Sequence, residues 1–250
     1  MPYGLYMSAA GAQAQNHRMQ ALSHNLANVN TPGFKPEETI LQARFAEMIE
    51  QGKVAPDQGG ADDIGGGTTI QRSITRMKGG PIKATGRQTD FAINDEESFF
   101  VVSRDGEQRL TRAGNFLFNS GGQLINDGGD QVLSTSGNPI RINPTLPFDV
   151  TNGGRIQQGP NVFELMLAKP REISDLSRVG DNQFKPLAPF DLVGGRDRAV
   201  VAGMLEQSGV TPTGAMMELI ETSRAYEANV RMIQNQDHVM GSLISRVLQS

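Results

Sequence analysis

The residues best suited to chemistry in this chain are three histidines and a few acidic pairs. His17 and His24 stand seven apart. On one helix they share a side but lie about two turns from each other, too far to hold a metal ion without a third ligand. They and His238 read as polar helix residues. Asp90, Asp95, Glu96 and Glu97 could supply the two carboxylates of a glycosidase. The apolar stretches around Ile93 and Phe99 make a solvated turn the better reading. Gly65-Gly66-Gly67-Thr68-Thr69 has the glycines of a phosphate loop, but lacks the Walker lysine and the glycine spacing of a dinucleotide fold. Asp62-Asp63 has no further ligand at useful spacing. There is no Ser/His/Asp arrangement with local support, and Ser103 and Ser134 stand in turn contexts. The expectation is no catalytic residue, no metal site and no cofactor.

Composition narrows the class further. The chain has 250 residues, a formal net charge of -4, and no cysteine or tryptophan. Disulfides and thiol chemistry are therefore out. An acidic balance with no basic cluster argues against nucleic acid. Arg171, Arg178, Arg196 and Arg198 form no run and are expected to pair with nearby acids. No apolar run approaches the ~20 residues of a membrane span. The start of the chain lacks the charged and apolar regions of an ordinary secretory signal.

The elements that must do the positioning lie at the two ends. From Thr213 to Leu248 there is no proline. Leu219, Tyr226, Ile233, Met240 and Val247 recur every seven residues, and Met216, Val230 and Ile244 fall three places before members of that series. This pattern predicts a long amphipathic helix, roughly 50 Å at about 1.5 Å per residue, with Pro212 near its first turn. At the other end Leu5, Ala12, Met19 and Leu26 also recur at seven, with Ala9 and Leu22 on the same face. That helix stops at the breaker cluster Asn28-Val29-Asn30-Thr31-Pro32-Gly33. A seam so poor in large apolar residues makes a weak core alone. It predicts packing between copies of the chain, with termini loosely held in the monomer; a hairpin packed on its own domain is the plainer alternative.

Between the ends the period changes. A short helix is expected over 40–50, with Leu41, Phe45, Met48 and Ile49 on one side, followed by a glycine-rich linker over 51–67. From Thr68 to about Leu205 the period is two. Strands are expected at Thr69–Met77, Phe91–Ile93, Phe99–Ser103, Gln108–Arg112, Phe116–Phe118, Gln123–Ile125, Pro139–Ile142, Val162–Leu167 and Val200–Leu205. Asp105-Gly106, Asp127-Gly128 and Asn152-Gly153 supply turns between them. Asp175 to Gly195 reads as an extended return path. The expected fold class is α+β: long N- and C-terminal heptad helices forming a coiled-coil layer, with one central antiparallel β domain. The divisions are 1–33, 34–67, 68–205 and 206–250.

Several stretches then combine into one resemblance. Ser23-His24-Asn25-Leu26-Ala27-Asn28-Val29-Asn30-Thr31-Pro32-Gly33-Phe34-Lys35 resembles the N-terminal signature of the bacterial flagellar rod and hook proteins, with His24 where that family usually has asparagine. Ser223-Arg224-Ala225-Tyr226-Glu227-Ala228-Asn229 is similar to its C-terminal signature. Thr85 to Ile93, Phe99 to Val102 and Leu110 to Phe116 match in the middle, in the family's order. The stretch Gly79 to Gly86 looks more like the proximal rod type than the distal one. The resemblance implies a structural, non-enzymatic subunit of the basal-body rod. Such subunits pass through the flagellar type III export apparatus without a cleaved signal. They polymerise helically around the central channel with copies of themselves and other rod proteins, and help carry torque. The subunit interface is expected at Leu5, Ala12, Met19, Leu22, Asn25, Leu26, Asn28, Met216, Leu219, Tyr226, Val230, Ile233, Met240, Ile244 and Val247. A periplasmic carbohydrate-binding or peptidoglycan-acting β protein is the competing class, and a soluble rod-assembly adaptor a third.

Overall fold

The computed structural model describes residues 3–43, 67–143 and 145–248. The protein is α+β, with a helix at each end and antiparallel sheets between them. Its contacts divide it into two units. The first holds the terminal helices and a two-stranded ribbon. The second holds residues 28–36 and 77–211.

In the first unit, helix α1 spans Tyr3–Ala27 and helix α2 spans Pro212–Leu248. Pro212 stands at the start of α2, where its missing N–H costs no helical bond. The helices pack antiparallel. A Cβ added at Gly4 would lie 2.7 Å from Gln236 Nε2, and one at Gly11 2.8 Å from Asn229 Oδ1. Two glycines seven apart thus meet two amides seven apart, in opposite chain directions. The covered side of α2 runs through Ala215, Leu219, Thr222, Tyr226, Asn229, Ile233 and Gln236, alternating steps of four and three. Expected seam members Leu219, Tyr226 and Ile233 belong to it. Met216 and Ile244 do not; small and amide residues take the intervening places, because the glycines of α1 admit them at close range.

Strand β1 (Glu37–Ala43) pairs antiparallel with β2 (Thr68–Thr75), with a bulge between Ile40 and Leu41. The helix expected over 40–50 is therefore corrected at 40–43. Ladder bonds to β2 override the helical spacing there, while 44–50 and all of the expected 51–67 linker but Gly67, including Asp62-Asp63, Gly65 and Gly66, lie outside the described residues. The strand expected at Thr69–Met77 is present but pairs with β1, not with the central sheet. A lone ribbon is marginal in water. Here α1 packs on both of its strands.

In the second unit, β3 (Ile82–Ala84) and β4 (Phe91–Ile93) precede β5 (Phe99–Arg104), around which the main sheet is built. Next come β6 (Glu107–Thr111), β7 (Leu117–Phe118), β8 (Leu124–Ile125) and β9 (Gln131–Val132), then β10 (Asp149–Thr151), β11 (Arg155–Gln158), β12 (Asn161–Glu164) and β13 (Leu167–Pro170). Strand β5 pairs with β6, β9 and β13. Phe99 to Val102 are all buried, so alternation along β5 divides two apolar cores. Phe100 and Val102 face Phe116, Leu124, Ile140 and Ile156. Phe99 and Val101 face Leu110, Met166 and Phe184. Phe100 meets Phe116 edge-on at 5.2 Å, and Phe99 meets Phe184 likewise at 5.9 Å. The expected strands at Phe91–Ile93, Phe99–Ser103 and Gln108–Arg112 appear with bounds shifted by a residue at most. Val200–Leu205 is two strands, Val200–Ala202 and Met204–Glu206, broken at Gly203 (φ 71°). Pro139–Ile142 makes only isolated bridges. The expected return path at Asp175–Gly195 instead holds three strands, Leu176–Gly180, Gln183–Pro186 and Phe190–Leu192. The second of these pairs with β6.

Candidate assembly surface

Three of the acidic candidates for chemistry, Asp90, Asp95 and Glu97, are engaged in holding the fold. Asp90 is fully buried, and Arg87 grips both its oxygens at 2.9 and 3.0 Å while the Thr85 hydroxyl donates at 2.6 Å. Asp95 accepts from the backbone N–H groups of Glu97 and Ser98, closing a turn. Glu97 pairs with Lys169. Arg171 sits 3.5 Å from Asp191, as an arginine near an acid should. Arg198 does not follow that expectation. It is buried and donates to the carbonyls of Gly153, Val193 and Leu165, and burial pushes its pKa below the ordinary value. Among the described residues no cluster of three or more His, Asp or Glu could hold a metal ion. No described helix is long and apolar enough to cross a membrane.

The interface candidates divide by burial. Ala12, Leu22 and Asn25 are buried within the chain. Asn25 is fully engaged there: its side-chain amide donates to the Glu37 carbonyl at 2.7 Å, and its oxygen accepts from the Glu37 N–H at 2.9 Å. It fixes the end of α1 to the start of β1. Asn28 accepts from the Thr31 hydroxyl at 3.1 Å, helping the chain turn out of the helix. Leu5, Met19, Leu26, Leu219, Tyr226, Val230 and Ile233 are half-buried. Met216, Met240 and Ile244 are exposed, and the Val247 side chain lies outside the described set.

The exposed members point to the surface of greatest consequence. Gln236 already faces Gly4, at the start of α1. Helix α2 nevertheless continues to Leu248, about three turns further. On that extension Val239, Met240, Leu243, Ile244 and Leu248 are all exposed, Ile244 at 56%. Lower on the same helix Met216, Met217, Ile220 and Met232 are also uncovered. So many exposed large apolar side chains make this helix the candidate interaction surface.

The second unit contains a site that heptad counting does not reveal. Gly33, Phe34 and Lys35 are buried in it. The Gly33 N–H donates to the Glu206 carbonyl at 2.8 Å, and the Gly209 N–H donates to the Phe34 carbonyl at 3.0 Å. Gly33 has φ +65°, and a Cβ there would stand 2.4 Å from the carbonyl carbon of Arg112, so both conformation and space require glycine. Lys35 Nζ lies 2.7 Å from Glu206 Oε1 and donates to the Lys78 carbonyl at 3.2 Å. Arg112 Nε stands 3.5 Å from Glu206 Oε2. The Arg112 guanidinium also donates to the carbonyls of Ser98 and Asp95, and lies 5.4 Å from the Phe99 ring centroid. Burial pushes the pKa values of both Lys35 and Arg112 down, against the pull of Glu206. The stretches Thr31 to Lys35 and Leu110 to Phe116, far apart in sequence, therefore meet around one carboxylate. Both stretches stand among the motifs that carry the family resemblance, but nothing in their spacing shows that they meet.

Helical ends, antiparallel sheets between them and exposed apolar side chains on α2 are features that an assembling structural protein would show. Residues 5–35 match the family described as flagella basal body rod protein, and residues 201–246 match the C-terminal region of the flagellar basal body rod FlgEFG proteins. The chain is 32% identical to the flagellar basal-body rod protein FlgF of Caulobacter vibrioides, over 99% of this chain and 98% of that protein. It is 26% identical to FlgG of Bacillus subtilis over 96% of this chain and 97% of that one. With FlgF of Rhizobium meliloti it shares 29% over 91% of this chain and 90% of the relative. The chain belongs to the flagellar basal-body rod protein family.

Proposed function

We propose that this chain is a structural subunit of the flagellar basal-body rod, of the proximal, FlgF-like type, and that the far end of α2 is its assembly surface. The exposed row Met240, Leu243 and Ile244, running past the start of α1, is the observation that carries this reading. Copies of the chain and other rod proteins are the partners that cover it. The two terminal helices then form a coiled-coil layer around the export channel, and head-to-tail contacts that do not close give a helical filament able to carry torque. Passage through the flagellar type III export apparatus belongs to the same proposal and rests on family membership. The named relatives are rod proteins, which supports a structural rather than an enzymatic role.

The test is Ile244→Asp in cells that lack the natural copy. A carboxylate in an apolar contact costs several kcal/mol, repeated in every subunit. The variant is expected to accumulate with unchanged helicity and thermal midpoint, yet to leave cells without rods and without motility. Normal rods from this variant would overturn the assignment of the surface.

A further inference from the structure

The buried group around Glu206 acts as more than packing. Lys35, Arg112 and Glu206 are exposed by only 0, 1 and 3%. Among the described residues Glu206 is the one carboxylate in contact with either cation. Asp95 and Glu96 act on Arg112, and Glu96 on Lys35, from longer range. The Gly80 N–H donates to the same Glu206 oxygen that Lys35 holds, at 3.1 Å. The contact group therefore carries two positive charges and one negative, held away from water. The backbone bonds of Gly33 to Glu206 and of Gly209 to Phe34 bracket it.

We infer that Glu206 is a latch that seats the two chain passages of the β unit together, residues 31–36 coming in and residues 203–209 going out. Without its charge, Lys35 and Arg112 would be two buried cations side by side. Removing one partner of a buried ion group leaves uncompensated charge and is strongly unfavourable, whereas balanced removal is tolerated. Lys35 and Arg112 both precede Glu206 in the chain. The incoming passage therefore stays unlatched until residue 206 is in place, and the two passages close and open as one. This makes closure of the β unit its last step in chain order.

The charge count sets the test. The contact group has net charge +1 in the natural chain, +2 in Glu206→Gln, zero in Lys35→Met, and +1 again in the double variant. Residue-resolved hydrogen exchange on the full-length chain reads the passages directly. In Glu206→Gln the Gly33 and Gly209 amides are expected to exchange at least about tenfold faster, and together. The Val101 and Leu133 amides, bonded inside the sheet, keep their rates. In Lys35→Met the same two glycine amides change by less than about threefold, since Arg112 and Glu206 remain balanced. Adding Lys35→Met to Glu206→Gln restores most of the lost protection, or most of the lost fold if the single variant unfolds the unit. Equal effects of the two single substitutions, independent opening of Gly33 and Gly209, or no recovery in the double variant would each overturn the latch.

Discussion

At the scale of single residues, polar side chains carry the structure where the seam is thin. Asn25 is the clearest case. Its amide makes both halves of a bond pair with the Glu37 backbone. Asn25→Ala would remove both bonds to the half-buried Glu37 backbone, a loss of about 1 kcal/mol for each. The expected result is a lower thermal midpoint and faster exchange in β1, with the β5 core unaffected. Asp130 works by charge. Burial alone would raise its pKa, but hydrogen bonds from Arg104, Asn126 and Gln183 outweigh that and hold it below the ordinary carboxylate value. A depressed folded pKa means the stability is complete above the unfolded value, about 3.9, and is lost as pH falls through the lower folded one. Acid titration of the β unit should therefore show a loss of stability below about pH 4 that Asp130→Asn flattens. An unchanged acid limb in that variant would show that Asp130 contributes nothing there.

At the scale of elements, α2 divides into two stretches that differ in how they are covered. Residues 215–236 pack on α1, and residues 239–248 carry an apolar row left exposed among the described residues. Ile233 belongs to the first stretch and is half-buried. Ile233→Asp is accordingly expected to loosen the α1–α2 pair even in dilute chain, seen as lower helicity, whereas Ile244→Asp leaves that helicity intact. Gln234→Asp, on the exposed side, should do neither. Gly241 is the weak residue of the second stretch, with nothing within 4 Å of a Cβ placed there. Gly241→Ala should gain about 1 kcal/mol of helix propensity and raise the measured helicity. A fall in helicity would mean that Gly241 is needed for a break in the helix. Both helices were legible because long proline-free heptads have few other readings. Strand β1 was not, since Leu41 carries a helix-like spacing that only pairing with β2 overrides. The strands between Leu176 and Leu192 were hidden by the prolines and glycines at their ends, which read as loop when each strand is three to five residues long.

At the scale of the whole molecule, the chain places its long helices at its two ends in sequence and its packed β cores between them. The cores around β5 are supplied by residues between 77 and 202, in the unit that also takes in the short passage 28–36. The meeting of Lys35, Arg112 and Glu206 was beyond sequence reading, because a buried charge looks like a surface charge until its partners are known. The exposed row on α2 was partly legible: Met240 and Ile244 stood in the heptad series, but which of its members the chain covers itself depends on the length mismatch between α1 and α2. The claim that this row is buried by assembly can be measured directly. The chain contains no cysteine, so Ile244→Cys introduces a single thiol. Maleimide labelling is then compared in dilute purified chain, in intact isolated basal bodies, and in the same basal bodies after denaturation. A rod subunit covered at this row gives fast labelling in the dilute chain, protection in the intact basal bodies, and full labelling on denaturation. Equal, fast labelling of Ile244→Cys in the dilute chain and in the intact basal bodies would contradict it.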